Sequence, residues 1–315
     1  ETRKLLSGTT DAHWSPDGTS IVFTRVDGLY LANSDGTGER RVATGTDLLR
    51  LVWAPDGTRI AWQQNAAPNQ AAGDIWVLEL GSGEARKVAH GAYPAWAPDS
   101  KRLAYITVPG DNPPRRSELR LVNYAGQHDW VVVKDLPPNT PAIGIPQNEQ
   151  SRTNLEHLMA NPFWDRDGRY VYVASAVLYQ ALSDFFIWER ADATKGGSTF
   201  LGELNGGDAF PSPDRQAVLF GASNAKGESW FAARALDGQD QGWAWAATRP
   251  NATDVMPAWA PDSKAVAYYH CELDHPERCN LQLLTPQGGS VLLRNVVGAT
   301  PDGVDLPSLD WGRDG

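Results

Sequence analysis

The chain has 315 residues, and its 28 Lys and Arg against 38 Asp and Glu leave a net charge of −10 at neutral pH. That balance excludes a duplex nucleic-acid surface or an anionic membrane as the main partner, and no long apolar run is present to insert in a membrane as a helix. A chain this long buries enough surface to fold without metals or disulfides, and its 30 Gly, 22 Pro and 13 Trp point to an all-β chain of short strands joined by many turns.

Residues 2–8 read as an outer strand, and from Trp14 onward the chain repeats itself. Trp14-Ser15-Pro16-Asp17-Gly18 leads into Ile21-Val22-Phe23, Trp53-Ala54-Pro55-Asp56-Gly57 into Ile60-Ala61-Trp62, and Trp96-Ala97-Pro98-Asp99-Ser100 into Leu103-Ala104-Tyr105. Weaker copies stand at Trp164-Asp165-Arg166-Asp167-Gly168 and Pro211-Ser212-Pro213-Asp214. A clean copy follows at Trp259-Ala260-Pro261-Asp262-Ser263, and a clipped one at Trp311-Gly312-Arg313-Asp314-Gly315. Consecutive anchors are 39, 43, 68, 47, 48 and 52 residues apart, a period typical of a four-stranded unit that buries its faces by stacking on its neighbours.

The residues of the unit explain its shape. An inner strand ends at Trp, Pro presets φ for a tight turn, Asp and Gly accept the remaining turn positions, and an apolar strand returns. A third strand follows (Gly28 to Leu31, Asp74 to Leu78, Asp184 to Trp188), then a Gly-rich turn, then an outer strand such as Arg40 to Ala43 or Arg86 to Ala89. This predicts one domain over 1–315, a β-propeller of four-stranded antiparallel blades. Six blades with overlapping terminal strands is the expected count, and seven with an incomplete closing blade is the alternative.

The repeat resembles the WD-repeat-like propeller repeats of the TolB family, as does the closing segment from Asp302-Gly303 to Trp311. The resemblance spans the chain and implies a propeller scaffold. The N-terminal α/β domain of TolB itself has no counterpart here. Related propellers accompany the hydrolase domain of prolyl-oligopeptidase-type enzymes, which is also missing. Propeller lyases of pectic fragments hold a metal with clustered histidines, and His13, His90 and His157 fall in or near the expected mouth segments.

Strand direction places the Pro-Asp and Gly-rich turns on one face. The irregular segments Gln63 to Gly73, Val108 to Ser117, Ser175 to Ser183, Ser223 to Ser229 and Tyr269 to Asn280 collect on the other, with the long link from Asp135 to Asn161. That link accounts for the 68-residue step, is expected to hold a short helix over Thr153 to Met159, and would act as a lid on the mouth or a clamp on the rim. Function is expected on this face. Residues just ahead of the anchors line the channel mouth: Asp11, Arg50, Tyr93, Asn161 and Asp208 three positions before, His13 one position before, and His157 nearby.

No zinc-type histidine spacing, nucleophile elbow or phosphate loop appears, so no metal, cofactor or catalytic residue is assigned. The two cysteines, Cys271 and Cys279, are expected to pair as a disulfide, with free thiols or a metal site built with His270 and His275 as alternatives. The sequence therefore reads as a non-catalytic, exported protein, periplasmic or extracellular although no signal peptide opens the chain, that binds a protein or glycan partner through the irregular face. A metal-assisted polysaccharide lyase or hydrolase, and a self-associating subunit of a surface layer or filament, are the alternatives.

Overall fold

A computed structural model describes residues 8–9, 11–67, 70–110, 114–140, 155–179, 184–204, 209–223, 229–236, 252–272, 274–285, 288–293 and 311. The chain divides into two compact units, 1–203 and 204–315. Among the described residues every regular element is a β-strand.

In the first unit, β1 (Ala12–Trp14), β2 (Ser20–Arg25), β3 (Gly28–Asn33) and β4 (Arg40–Thr44) pair in chain order as a four-stranded sheet. Next come β5 (Leu48–Trp53), β6 (Arg59–Gln64), β7 (Gly73–Glu79) and the 13-residue β8 (Glu84–Trp96). The first half of β8 pairs with β7 and its second half with β9 (Arg102–Thr107), so it serves as outer strand of one group and inner strand of the next. The outer and inner strands expected here as separate pieces are therefore continuous. β10 (Glu118–Asn123) and β11 (Trp130–Val133) complete that group. β12 (Leu155–Trp164), β13 (Tyr170–Tyr179), β14 (Asp184–Asp192) and β15 (Ser198–Leu204) form another four-stranded sheet.

The second unit holds β16 (Ala209–Pro211), β17 (Ala217–Ser223) and β18 (Ser229–Ala235), then β19 (Ala252–Trp259), β20 (Val266–Glu272), β21 (His275–Thr285) and β22 (Gly288–Leu293). The two groups are joined by a parallel pairing of Ser229 with Thr253 and by an apolar cluster in which Leu219, Phe231 and Ala233 pack with Trp259, Val266 and Tyr268.

Two features of the repeat assemble these sheets. The first is the tryptophan. The Trp53 indole N–H donates to the carbonyl of His13 at 3.3 Å, Trp96 to Val52 at 3.2 Å and Trp164 to Ala95 at 3.0 Å. In the second unit Trp259 donates to Phe210 and Trp311 to Ala258, both at 2.9 Å. The acceptor always immediately precedes the previous anchor, so each ring is both an apolar wedge and a tie between adjacent inner strands. The second is the turn. The carboxylates of Asp17, Asp56, Asp99, Asp214 and Asp262 each accept the N–H two residues on, at 2.8–3.0 Å. Together with the hydroxyls of Ser15 and Thr19, the Thr19 N–H lowers the Asp17 carboxyl to about 2.

Several segments differ from the sequence expectation. The helix expected over 153–159 is strand from Leu155 on: Leu155, His157 and Met159 are buried and alternate with half-buried Glu156 and Leu158. The loop expected from Ser175 is also strand, because Ser175–Tyr179 pairs with Met159–Leu155. Most of the loop expected between Tyr269 and Asn280 is a hairpin in which Cys271 faces Cys279. Residues 224–228 and 141–154 lie outside the described residues. The described start of the long link docks on the fourth sheet, where the Asn139 amide exchanges two hydrogen bonds with the Phe200 backbone.

Candidate functional site

Three of the four inner strands of the first unit share one irregularity, while β1 pairs with β2 in unbroken register. Register shifts fall between Leu49 and Val52, Ala92 and Ala95, and Ala160 and Phe163. In each case two residues oppose a single core residue, Trp62, Tyr105 or Val173, which makes a β-bulge. The first residue of each bulge is left-handed: Arg50 at φ 56°, Tyr93 at 59° and Asn161 at 49°. Glycine normally fills this position because a Cβ is strained there. Here an arginine, a tyrosine and an asparagine fill it, three of the residues assigned to the mouth.

The structure brings two of them together. The Arg50 guanidinium lies over the Tyr93 ring, 3.5 Å from its centroid, in a cation–π stack between adjacent inner strands. Arg50 is exposed, and among the described residues no carboxylate pairs with it, so the stack presents a charged fork to solvent. Beside it on the first inner strand, His13 Nε2 is 2.9 Å from the Asp11 carboxylate. Burial pushes the Asp11 carboxyl up, but the His13 hydrogen bond and charge and the N–H groups of Leu51 and Ala12 outweigh it and hold it below its ordinary value. Asp11 thus reaches the strand that carries Arg50. Asn161 is half-buried on the fourth inner strand, and Asp208 lies outside the described residues.

His157 stands apart. It is 1% exposed, with Nε2 2.7 Å from the Glu189 carboxylate, which is 0% exposed and also accepts the Ser175 hydroxyl. Burial pushes the Glu189 carboxyl up, yet the charge and hydrogen bond of His157, joined by Ser175, hold it below the usual range. The serine bonds to the carboxylate and not to the imidazole, so nothing there activates a nucleophile. The cluster ties β12, β13 and β14 together.

The other histidines do not gather either. His90 pairs with Asp74 at 2.9 Å, and His270 is buried against Asp254 at 2.6 Å. Among the described residues no three His, Cys, Asp or Glu side chains approach closely enough to hold a metal. Cys271 and Cys279 form a disulfide across β20 and β21. Sequence reasoning missed Glu189, Ser175 and Asp254 as partners. The one available signal was a lone carboxylate inside an apolar strand, in Phe185-Phe186-Ile187-Trp188-Glu189.

No family model matches the chain, and no curated protein matches it. Its fold is similar to those of solved β-propeller structures. TolB from Acinetobacter baumannii superposes with a TM-score of 0.55 at 15% identity, over 96% of this chain and 65% of that one. The chain thus spans about two thirds of the length of that TolB. An oligogalacturonate lyase from Vibrio parahaemolyticus gives 0.57 at 12% identity, over 82% of this chain and 73% of that one. The β-propeller domain of the Trilobed protease from Pyrococcus furiosus gives 0.56 at 12% identity, over 87% and 81%. The architecture is therefore an all-β, TolB-like propeller.

Proposed function

We propose that the chain is a non-catalytic, exported propeller of six four-stranded blades that captures a protein or glycan partner at its channel mouth and irregular loop face. The observation that carries this reading is the Arg50–Tyr93 stack on left-handed bulges. A backbone strained at a repeated position, holding a large side chain in place of glycine, is characteristic of a binding site. A guanidinium stiffened by stacking and, among the described residues, free of a carboxylate partner suits an acceptor-rich end of the partner, a carboxylate foremost. The disulfide supports export, since such bonds persist in oxidising compartments.

The test is binding of the full chain to peptide and glycan arrays. Arg50→Ala and Tyr93→Ala should remove the wild-type hits, and Arg50→Ala should leave stability within about 0.5 kcal/mol, as for a surface residue. Hits that survive both substitutions would contradict the mouth as the binding site.

A further inference from the structure

The junctions between successive sheets of the first unit are not equally filled. In three outer strands a bulge leaves one valine without a register partner: Val42 in β4, Val88 in β8 and Val132 in β11. The turn between the third and fourth strands of the following sheet then reaches for that valine. The Gly197 N–H donates to the Val132 carbonyl at 2.7 Å. Gly126 packs so tightly on Val88 that a Cβ there would lie 3.2 Å from its Cα. At the first junction the reach fails. Residues 80–83 make a shorter turn than 124–129 or 193–197, and their backbone N–H groups at Leu80 and Gly83 are spent on Thr58 and Glu79 rather than on Val42.

A cavity of about 570 Å³ lies at that junction, lined by Val42 and Thr44 of β4 together with Trp62, Gln64, Trp76 and Ala85. Trp62 and Trp76 stack with their planes 12° apart, and Trp76 is the half-buried member. The Gln64 amide and the Thr44 hydroxyl make no hydrogen bond to any described residue. Gly45 lets the amide sit where it does, because a Cβ there would lie 2.8 Å from Nε2. Among the described lining residues the one charged group, Arg41, is already paired with Asp27 at 2.9 Å.

The geometry points to a second binding site here, for a neutral sugar of one or two pyranose rings. The volume is in the range of small-ligand sites. An indole face receives the apolar C–H face of a sugar, and an amide and a hydroxyl serve its hydroxyl groups as both donor and acceptor. A neutral ligand fits because the formal charge on the described lining, Arg41, is spent on Asp27. An extended peptide fits less well, since the bulge at Val42 interrupts the edge that a pairing strand would need. This site does not depend on the mouth.

The test is calorimetric titration of the full chain with cellobiose, maltose and N,N′-diacetylchitobiose, with the capped peptide Glu-Val-Phe-Val-Glu as comparison. At least one disaccharide should bind, and Trp76→Ala should weaken it about tenfold, the loss of one aromatic contact. Ala85→Phe, which fills the groove while leaving both tryptophans in place, should abolish binding if Trp76→Ala fails to fold. Arg50→Ala should leave it unchanged. No heat with any disaccharide, binding that survives Ala85→Phe, or binding of the peptide alone would each overturn the inference.

Discussion

The inner strands carry two left-handed features a few residues apart, and the chain treats them oppositely. At the Pro-Asp turns the positive φ falls on Gly18, Gly57 and Gly168, at 69–70°. Where serine replaces glycine, at Ser100 and Ser263, its hydroxyl accepts the N–H of Asp56 or Asp214 in the preceding repeat, each at 3.0 Å, which offsets the strain. At the bulges Arg50, Tyr93 and Asn161 take the same backbone conformation without glycine. In the fifth turn Arg215 takes this position at φ 57°, so five of the six described turns meet the left-handed demand with glycine or a hydrogen-bonded serine. The bulges show side chains retained at a conformational cost, which is the physical reason to place function at that end of the strands. The same end of the fourth sheet departs from the repeat altogether, being extended by 155–159 and 175–179 and held by His157 and Glu189.

The sharpest break in that contrast is at Glu189. Glu189→Gln strips His157 of its buried carboxylate, and its cost should be about 3 kcal/mol at neutral pH, as for other broken buried pairs, with no effect on the turns. The folded carboxyl is depressed, so its contribution is present above the unfolded value of about 4.3 and is lost as pH falls through the folded value. Urea denaturation of wild type and variant should therefore converge in acid. A gap that persists or widens below that pH would contradict an ionised Glu189.

A smaller effect separates strain from its compensation at the turns. Ser100→Ala keeps the Cβ at positive φ and leaves the Asp56 N–H without its acceptor, and should cost about 1–2 kcal/mol. Ser100→Gly loses the same hydrogen bond but relieves the strain, so it should cost less. Equal costs would show that the serine turn is not strained.

How far the sequence discloses all this depends on how local the chemistry is. The Trp-Pro-Asp-Gly unit is legible because each Asp bonds an N–H two residues on and each Trp reaches the strand one repeat back. The cysteine pair is legible from its number and spacing. The fourth sheet is not: Leu155-Glu156-His157-Leu158-Met159 spaces its apolar residues as well for a helix as for a strand, and only the distant partner Ser175–Tyr179 decides between them. The bulges are invisible for the opposite reason. The residue that would announce them is glycine, and it is missing at all three. His157 was legible as an uncommon residue near the mouth segment, but its burial depends on Glu189, 32 positions away. The open junction beside Trp76 follows from a difference in turn length that no single repeat reveals.

The most direct measurement compares two substitutions at one position. Arg50→Ala and Arg50→Gly both remove the guanidinium and its stack on Tyr93, so their difference in denaturation midpoint reports the backbone alone. In an ordinary strand glycine is the weaker of the two by roughly 0.5–1 kcal/mol. At a left-handed bulge the order reverses, and Arg50→Gly should be the more stable by about 1 kcal/mol while neither variant captures the partner. If alanine proves equal or better, position 50 carries no strain, and the case for a site kept there at the expense of stability fails.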